Sequence, residues 1–304
     1  MAGVKRVRLF LVLLLAGLLA ATVAILRRFP ESGIVNSLRR AAEPSAQPFE
    51  AFGSFHFVCL GICIFAAATV GFLACRYADE RLTDRLVFAI GVAFLLLEGF
   101  KQILYNGLNG ESAYDFTVFP FQFCSLPLYI CPIAPMLGRR AKHTLSCFLA
   151  LFGTVGGYLV MAYPNLPASP VLCAHTMLWH TLMILLGVWL LFGTSCGQSF
   201  VCDYLPAAGV FLAVFAAATG LNLLLYAPSG GRIDLFYMSP YHSTNFLLVR
   251  DAQRLWGWGA SAAVFSLPVS SRGVIRITFV AGPYFSTDSV KRPMPLGSKA
   301  EHSR

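Results

Sequence analysis

Four polar side chains recur at helical spacing near the end of the third long apolar segment of the chain. Glu98, Lys101, Gln102 and Tyr105 follow an i, i+3, i+4, i+7 pattern, which places them on one stripe of a helix. An ionisable group inside a membrane helix costs free energy and is a functional candidate by default. The spacing predicts a charge-assisted contact between Glu98 and Lys101 that faces the bundle interior. A self-neutralised pair near the interface, with Lys101 reaching toward water, is the plainer alternative.

A thiol and an imidazole elsewhere in the chain have the chemistry of a nucleophile and its base. Cys124 lies in the proline-rich segment FPFQFCSLPLYICPIAPML, and His180 closes the motif HTMLWH. A Cys and a His on neighbouring helices at matched depth are the minimum for an activated thiolate. The prolines predict a kinked helix with a cavity beside Cys124, although proline kinks also serve packing alone. Two plainer interpretations stay open: an inert buried thiol, and a His beside Trp179 that anchors a helix end.

The elements that position these residues must be membrane helices. The chain is 57% hydrophobic and only 12% charged, with a mean hydropathy of +0.68, whereas soluble domains carry roughly 25% charged residues. The net charge of +9 comes from residues that flank apolar segments or lie late in the chain, not interleaved with aromatics. Nucleic acid is therefore excluded as a partner. The nine cysteines are an odd number, mostly inside apolar runs, which argues against a disulfide framework.

Seven stretches are apolar and long enough to cross a hydrocarbon core of about 30 Å. They are Leu9 to Leu26, Phe57 to Ala74, Leu86 to Tyr105, Phe119 to Leu137, Leu145 to Met161, Leu178 to Gly193 and Tyr204 to Tyr226. The predicted fold class is therefore all-α, a polytopic membrane helix bundle of about seven spans. Residues 1–28 are predicted to be a signal anchor or first membrane span, and residues 51–241 a six-span core. Charged residues interrupt the apolar stretches of residues 242–304, which are predicted to form a tail, solvated or with one weak extra segment.

Basic residues in short loops predict that the amino terminus is cytoplasmic, because such loops stay on that side of the membrane. Nine lie on one side of the seven-span arrangement, namely Lys5, Arg6, Arg8, Arg76, Arg81, Arg85, Arg139, Arg140 and Lys142. Five lie on the other: Arg27, Arg28, Arg39, Arg40 and Lys101. The polar residues of the spans then gather toward the non-cytoplasmic side, namely His56, Glu98, Lys101, Gln102, Tyr105, Gln122, Cys124, His175, His180 and Asn222.

A metal site among these residues is not favoured by their spacing. His175 and His180 are five residues apart, about 140° around a helix, unlike the i, i+4 pair that binds one ion. No C-x-x-C or H-x-x-x-H pattern occurs. We therefore predict no metal and no soluble cofactor.

The order of several short motifs resembles a known membrane-protein family. EGFKQ, FPFQFCSLPLYICPI, HTMLWHTLMILLG and NLLLYAPSGG occur in an order similar to that of the YwaF-type integral membrane proteins of bacteria, from about Phe52 to Tyr241. Distant animal relatives of that family are acyltransferases that make polyunsaturated ether phospholipids with a membrane Cys and His. The resemblance implies that Cys124 is the family Cys and His180 its sixth-span His. Gln122 stands where many members have His, and Gln cannot accept a proton as His does.

Residues and resemblance together favour a lipid acyltransferase or transacylase. Cys124 would attack an acyl ester, His180 would carry the proton, and Lys101 would bind a headgroup phosphate beside Glu98. Three further residues are predicted to contact substrate: Gln122, His175 and Asn222. The expected partner is a membrane phospholipid, because a cavity open to the non-cytoplasmic leaflet is remote from cytoplasmic acyl-CoA. A small-solute or ion transporter or channel and a non-catalytic membrane scaffold are the alternatives, and the sequence does not specify an oligomeric state.

Overall fold

The structure, a computed structural model, describes residues 2–47, 49–108, 113–162, 166–242 and 254–255. Regular structure in these ranges is helical, which confirms the all-α prediction. The α-helices there are α1 (Ala2–Arg28), α2 (Gly33–Ala41), α3 (Ser54–Tyr77), α4 (Glu80–Gln102), α5 (Leu126–Ile133), α6 (Arg139–Phe148), α7 (Thr154–Ala162), α8 (Pro170–Gly193) and α9 (Leu205–Leu225). Short π-helical turns join α6 to α7 and lead into α9.

Six helices within the described ranges have the length and apolarity of membrane spans. They are Val4–Arg28, Ser54–Tyr77, Glu80–Gly107, Arg139–Ala162, Pro170–Gly193 and Phe200–Leu225. A shorter apolar helix, Phe123–Met136, accompanies them. The protein is therefore a polytopic helical membrane protein, as the composition predicts.

The prediction of a full fourth span over Phe119 to Leu137 is wrong in length. Phe119 has an extended backbone, with a ψ of 129°, as the proline that follows it requires. Regular structure starts only at Phe123, as one 3₁₀ turn that leads into α5, and ends in a second 3₁₀ turn at Met136. The prolines thus shorten the helix as well as bending it, and its amino end lies inside the apolar region.

The predicted third span, Leu86 to Tyr105, is too short at both ends. Helix α4 begins at Glu80, and it continues at its other end through a π-helical turn over Ile103–Gly107. This extension carries the polar stripe past Gln102 to Asn106, which is buried. The helix α2, which the sequence analysis did not predict, starts at Ser32, whose hydroxyl accepts a hydrogen bond from the Val35 amide.

Helix α8 lies at the centre of the bundle, packed against α3, α4 and α7. Two glycines of α7 permit this packing near the polar residues. A Cβ on Gly157 would lie 3.0 Å from the His180 carbonyl oxygen, and one on Gly156 would lie 2.5 Å from the Phe123 ring. The small residues therefore bring α8 and the start of the fourth segment onto one side of α7.

Candidate functional site

Glu98 and Lys101 form the predicted ion pair. Lys101 Nζ lies 2.9 Å from Glu98 Oε2, and the Glu98 side chain is 6% exposed. The other carboxylate oxygen accepts a 2.7 Å hydrogen bond from Gln102 Nε2. One oxygen thus accepts a hydrogen bond, whereas Oε2 has the ion pair with Lys101 and no hydrogen bond among the described residues.

The stripe continues into the loop that precedes the fourth segment. Gln102 Oε1 accepts hydrogen bonds from Asn106 Nδ2 at 2.9 Å and from the Tyr114 hydroxyl at 3.0 Å. Asn106 Oδ1 accepts a 2.8 Å bond from the Asp115 amide. Burial raises the pKa of Tyr114 to about 12, so its hydroxyl keeps the proton that it donates. The polar network therefore fixes this loop against α4.

Cys124 lies at the amino end of α5, in the 3₁₀ turn immediately before the helix. Its thiol hydrogen-bonds the side chain of Ser125, a residue only 1% exposed, and lies within electrostatic range of Lys101 and Glu98. Its carbonyl oxygen accepts a 2.9 Å bond from Trp179 Nε1. Burial and the Glu98 carboxylate disfavour a thiolate at this position, whereas the helix amino terminus and the Lys101 ammonium favour one.

His180 is buried and has a defined tautomer. Its Nδ1 lies 2.8 Å from the Thr176 carbonyl oxygen, and because a carbonyl only accepts, Nδ1 carries the proton. Nε2 then holds a free lone pair. This nitrogen is buried and has no hydrogen-bond partner among the described residues. The imidazole is thus oriented so that Nε2 is its hydrogen-bond acceptor.

Cys124 and His180 are both next to Trp179 but form no hydrogen bond with each other among the described residues. Trp179, next to His180 on α8, binds the Cys124 carbonyl, and its ring lies 5.9 Å from Lys101 Nζ. Across the described residues, no hydrogen bond joins the Cys124 thiol to the His180 imidazole. The structure therefore places Cys124 against the residue next to His180 on α8, without a direct hydrogen bond between the two side chains.

His175 packs one turn before Trp179, with the two rings 5.7 Å apart. Its Nε2 donates a 3.1 Å hydrogen bond to the Leu97 carbonyl, which links α8 to α4 beside Glu98. His175 thus positions the two helices that carry the ion pair and the free imidazole. Its predicted contact with substrate stays a prediction.

Two amides hold the turn that follows α9. Gln122 donates to the Asp234 carbonyl at 2.8 Å and accepts from the Phe236 amide at 2.7 Å. Asn222 donates to the Leu235 carbonyl at 3.0 Å and accepts from the Leu235 amide at 2.7 Å. Phe236 has a φ of +60°, a left-handed backbone that costs free energy in a non-glycine residue, and these bonds maintain it.

The double role of Gln122 explains why an amide suits this position. It donates to one backbone group and accepts from another two residues on, so both of its polar atoms are engaged. Burial raises the pKa of Asp234 above its usual range. The predicted substrate contacts of Gln122 and Asn222 stay predictions, and the contacts seen here give both residues a structural role.

Four residues of the network were not predicted: Asn106, Tyr114, Ser125 and Thr176. Asn106 continues the helical stripe four residues beyond Gln102, so its spacing is a signal that sequence inspection could have used. Thr176 takes part only through its carbonyl oxygen, for which a sequence carries no signal.

A cavity of about 260 Å³ lies one helical turn beyond the ion pair. Its walls are Arg39, Ala42, Glu43, Pro44, Leu104, Tyr105, Leu108 and Leu172. Leu104 follows Lys101 by three residues and Leu172 precedes His175 by three, so α4 and α8 lead from the cavity to the polar site. The cavity combines charged and apolar walls.

Fold and site together define a polytopic helical membrane protein with a buried polar centre of Cys, His, Glu and Lys. Comparison with protein families identifies which one. The chain matches the TMEM164 family over residues 51–268 and belongs to it. This range covers the predicted core, residues 51–241, and continues beyond it. The resemblance to the YwaF-type proteins, which ends at about Tyr241, stays a prediction. No curated protein and no solved structure matches the chain.

Proposed function

We propose that this protein is a membrane-embedded acyltransferase or transacylase that moves an acyl chain between phospholipids. The observation that carries the proposal is the buried Nε2 of His180, which has no hydrogen-bond partner among the described residues and lies next to Trp179, the residue that binds the Cys124 carbonyl. A buried polar atom normally has a partner, because an unsatisfied one costs about 1 to 3 kcal/mol. A substrate hydroxyl would supply the missing donor.

The first half-reaction would transfer the acyl group to Cys124. The thiolate attacks the ester carbonyl of the donor lipid, the new carbon–sulfur bond forms, and the ester carbon–oxygen bond breaks. The proton from the thiol passes to His180 and then to the leaving lipid oxygen, which departs as a hydroxyl. The second half-reaction reverses these steps with the hydroxyl of the acceptor lipid and regenerates the thiol.

Helix geometry supports the role of Cys124. Its position before α5 lets the partial positive charge of the helix terminus act on the sulfur. The Ser125 side chain and the Lys101 ammonium also favour a negative sulfur, and they act against burial and the Glu98 carboxylate, which disfavour it.

Lys101 would also orient the lipid. Its ammonium contacts Glu98 with one of three N–H donors, so the other donors can bind further groups. Lys101 also lies on α4, the helix that leads to the cavity. A headgroup phosphate would bind to the Lys101 ammonium, with Arg39 on the wall of the neighbouring cavity. In the second half-reaction the hydroxyl of the acceptor lipid would lie beside the Cys124 thioester and donate its proton to His180 Nε2.

The test is acyl exchange in proteoliposomes. Labelled diacyl phospholipid and an unlabelled lysophospholipid are supplied, and labelled product is measured for wild type, Cys124→Ala and His180→Gln. Cys131→Ala is the matched control, since Cys131 is a buried cysteine of the same short helix. We expect transfer by the control at the wild-type level, none by Cys124→Ala, and a loss of about 10² to 10⁴ for His180→Gln.

The alternatives give distinct results in the same vesicles. Undiminished exchange by Cys124→Ala would remove the nucleophile from the scheme. Ion or solute flux from folded wild-type protein, together with no acyl exchange from any common phospholipid donor, would show a transporter instead.

A further inference from the structure

A second cluster of polar side chains lies at the opposite end of the bundle from Cys124. His143 and Cys147 are one turn apart on α6, and Cys196 lies in the turn after α8. His143 Nε2 and the two sulfur atoms all lie within 4.8 Å of one another. The distance along α8 from His180 to its last residue is about 20 Å, so this cluster is separate from the proposed active site.

The spacing within the cluster matches that of tetrahedral zinc ligands. Cys147 Sγ lies 3.5 Å from His143 Nε2. Ligands at about 2.3 Å for sulfur and 2.0 to 2.1 Å for nitrogen, arranged as a tetrahedron, put S and N about 3.5 Å apart. Cys147 and Cys196 are in hydrogen-bond contact and almost completely buried.

The groups around the three side chains are those that support a metal centre. The Gly197 amide donates to the Cys147 sulfur, from a turn in which Gly197 has a φ of +83°. Asp203 Oδ1 lies 2.8 Å from His143 Nε2, and its Oδ2 accepts a 2.9 Å hydrogen bond from the Ser199 amide. Sulfur ligands with backbone donors and a carboxylate held in place are typical of metal sites.

We propose that His143, Cys147 and Cys196 bind a zinc ion. Cys147 and Cys196 bind as thiolates and His143 binds through Nε2, so the imidazole proton moves to Nδ1 and each thiol releases its proton to solvent. Asp203 lies outside the group of ligand atoms that are within 4.8 Å of one another, so it is a neighbour of His143 and not a fourth ligand. Three positions come from protein, which leaves the fourth position of a tetrahedral site for a water molecule.

The proposed ion would join two parts of the bundle. His143 and Cys147 belong to α6, and Cys196 belongs to the turn after α8. The basic residues Arg139, Arg140 and Lys142 predict that this end is cytoplasmic, where thiols stay reduced and disulfides are rare. A soft divalent cation therefore fits the cluster better than a disulfide does.

Metal content and cobalt spectroscopy test the proposal. Full-length protein is purified in detergent from cells grown with added zinc, and bound metal is measured for wild type, Cys147→Ser and Cys196→Ser. Cys202→Ser is the matched control, because Cys202 is an exposed cysteine only six residues beyond Cys196. We expect about one zinc per chain in wild type and control, and a loss of at least tenfold in the other two.

A second measurement uses wild-type protein, so it tests the proposal even if the cysteine variants do not fold. Chelator-treated wild-type protein is loaded with Co²⁺, and sulfur-to-cobalt charge-transfer absorption with tetrahedral visible bands is expected. Folded wild-type protein that retains no zinc and gives no such spectrum would overturn the proposal. A disulfide between Cys147 and Cys196, identified by mass spectrometry after alkylation without reductant, would overturn it as well.

Discussion

The ion pair between Glu98 and Lys101 gives a prediction for a double-mutant cycle. Lys101→Met leaves a carboxylate that is 6% exposed with one hydrogen bond, from Gln102. Glu98→Gln leaves an ammonium beside the Trp179 ring. Stranding one member of a buried pair costs about 3 to 5 kcal/mol, and because Lys101 is one-fifth exposed we expect about 2 kcal/mol for each single change.

The double variant should be less damaged than the sum of the single variants. With both side chains replaced by neutral ones, no uncompensated charge is left in the bundle. An apolar replacement of a buried pair is often close to neutral, so we expect a cost of about 1 kcal/mol. The coupling free energy is then about 3 kcal/mol. The assay is SDS-induced unfolding in mixed micelles, followed by circular dichroism.

An exposed pair in the same protein serves as the control. Lys142 Nζ lies 2.6 Å from Glu80 Oε1, but the Glu80 side chain is 71% exposed. We expect little or no coupling for Glu80→Gln with Lys142→Met, as is usual for surface pairs, since Lys142 also keeps Asp84 as a partner. Equal coupling in the two cycles, or strictly additive effects at Glu98 and Lys101, would refute the argument that burial makes the first pair strong.

Two further changes test the packing that positions the site. Gly91→Ala should destabilise the bundle by about 1 to 3 kcal/mol, since the new Cβ would lie 2.8 Å from the backbone nitrogen of Pro132. The control Gly61→Ala places a Cβ with no atom within 4 Å, so it should be neutral or stabilising in the same unfolding assay. Gln122→Ala should lower the free energy of unfolding by about 2 to 3 kcal/mol, because two backbone groups lose their hydrogen-bond partner. It should also speed tryptic cleavage at the exposed Arg232. An unchanged cleavage rate would argue against the role of Gln122 in holding the turn after α9.

The sequence predicts the membrane bundle and the Glu98–Lys101 contact because both depend on local periodicity. Apolar runs identify the spans, and helical spacing identifies the shared stripe. The length of the fourth segment was not predicted correctly, since its composition is apolar throughout. Only the backbone shows where Pro120 prevents helix formation and moves the start of the helix to Phe123.

Contacts between distant segments lie beyond what the sequence could predict. The Trp179 bond to Cys124 and the Gln122 bonds to the turn after α9 depend on how helices pack, not on spacing along the chain. The proposed zinc site is instructive, because a metal was not expected from the sequence. His143 and Cys147 have the i, i+4 spacing of metal ligands on a helix, but their partner Cys196 is brought to them only by the fold.

Capture of an acyl group on Cys124 tests the central claim most directly. Purified protein is incubated in vesicles with a phospholipid that carries an isotope-labelled acyl chain, quenched in acid, digested and analysed by mass spectrometry. We predict a labelled acyl group on Cys124 that hydroxylamine removes, as it removes thioesters, and a much lower yield in His180→Gln. Acyl exchange by folded protein without any label on Cys124, or with undiminished exchange in Cys124→Ala, would contradict the account.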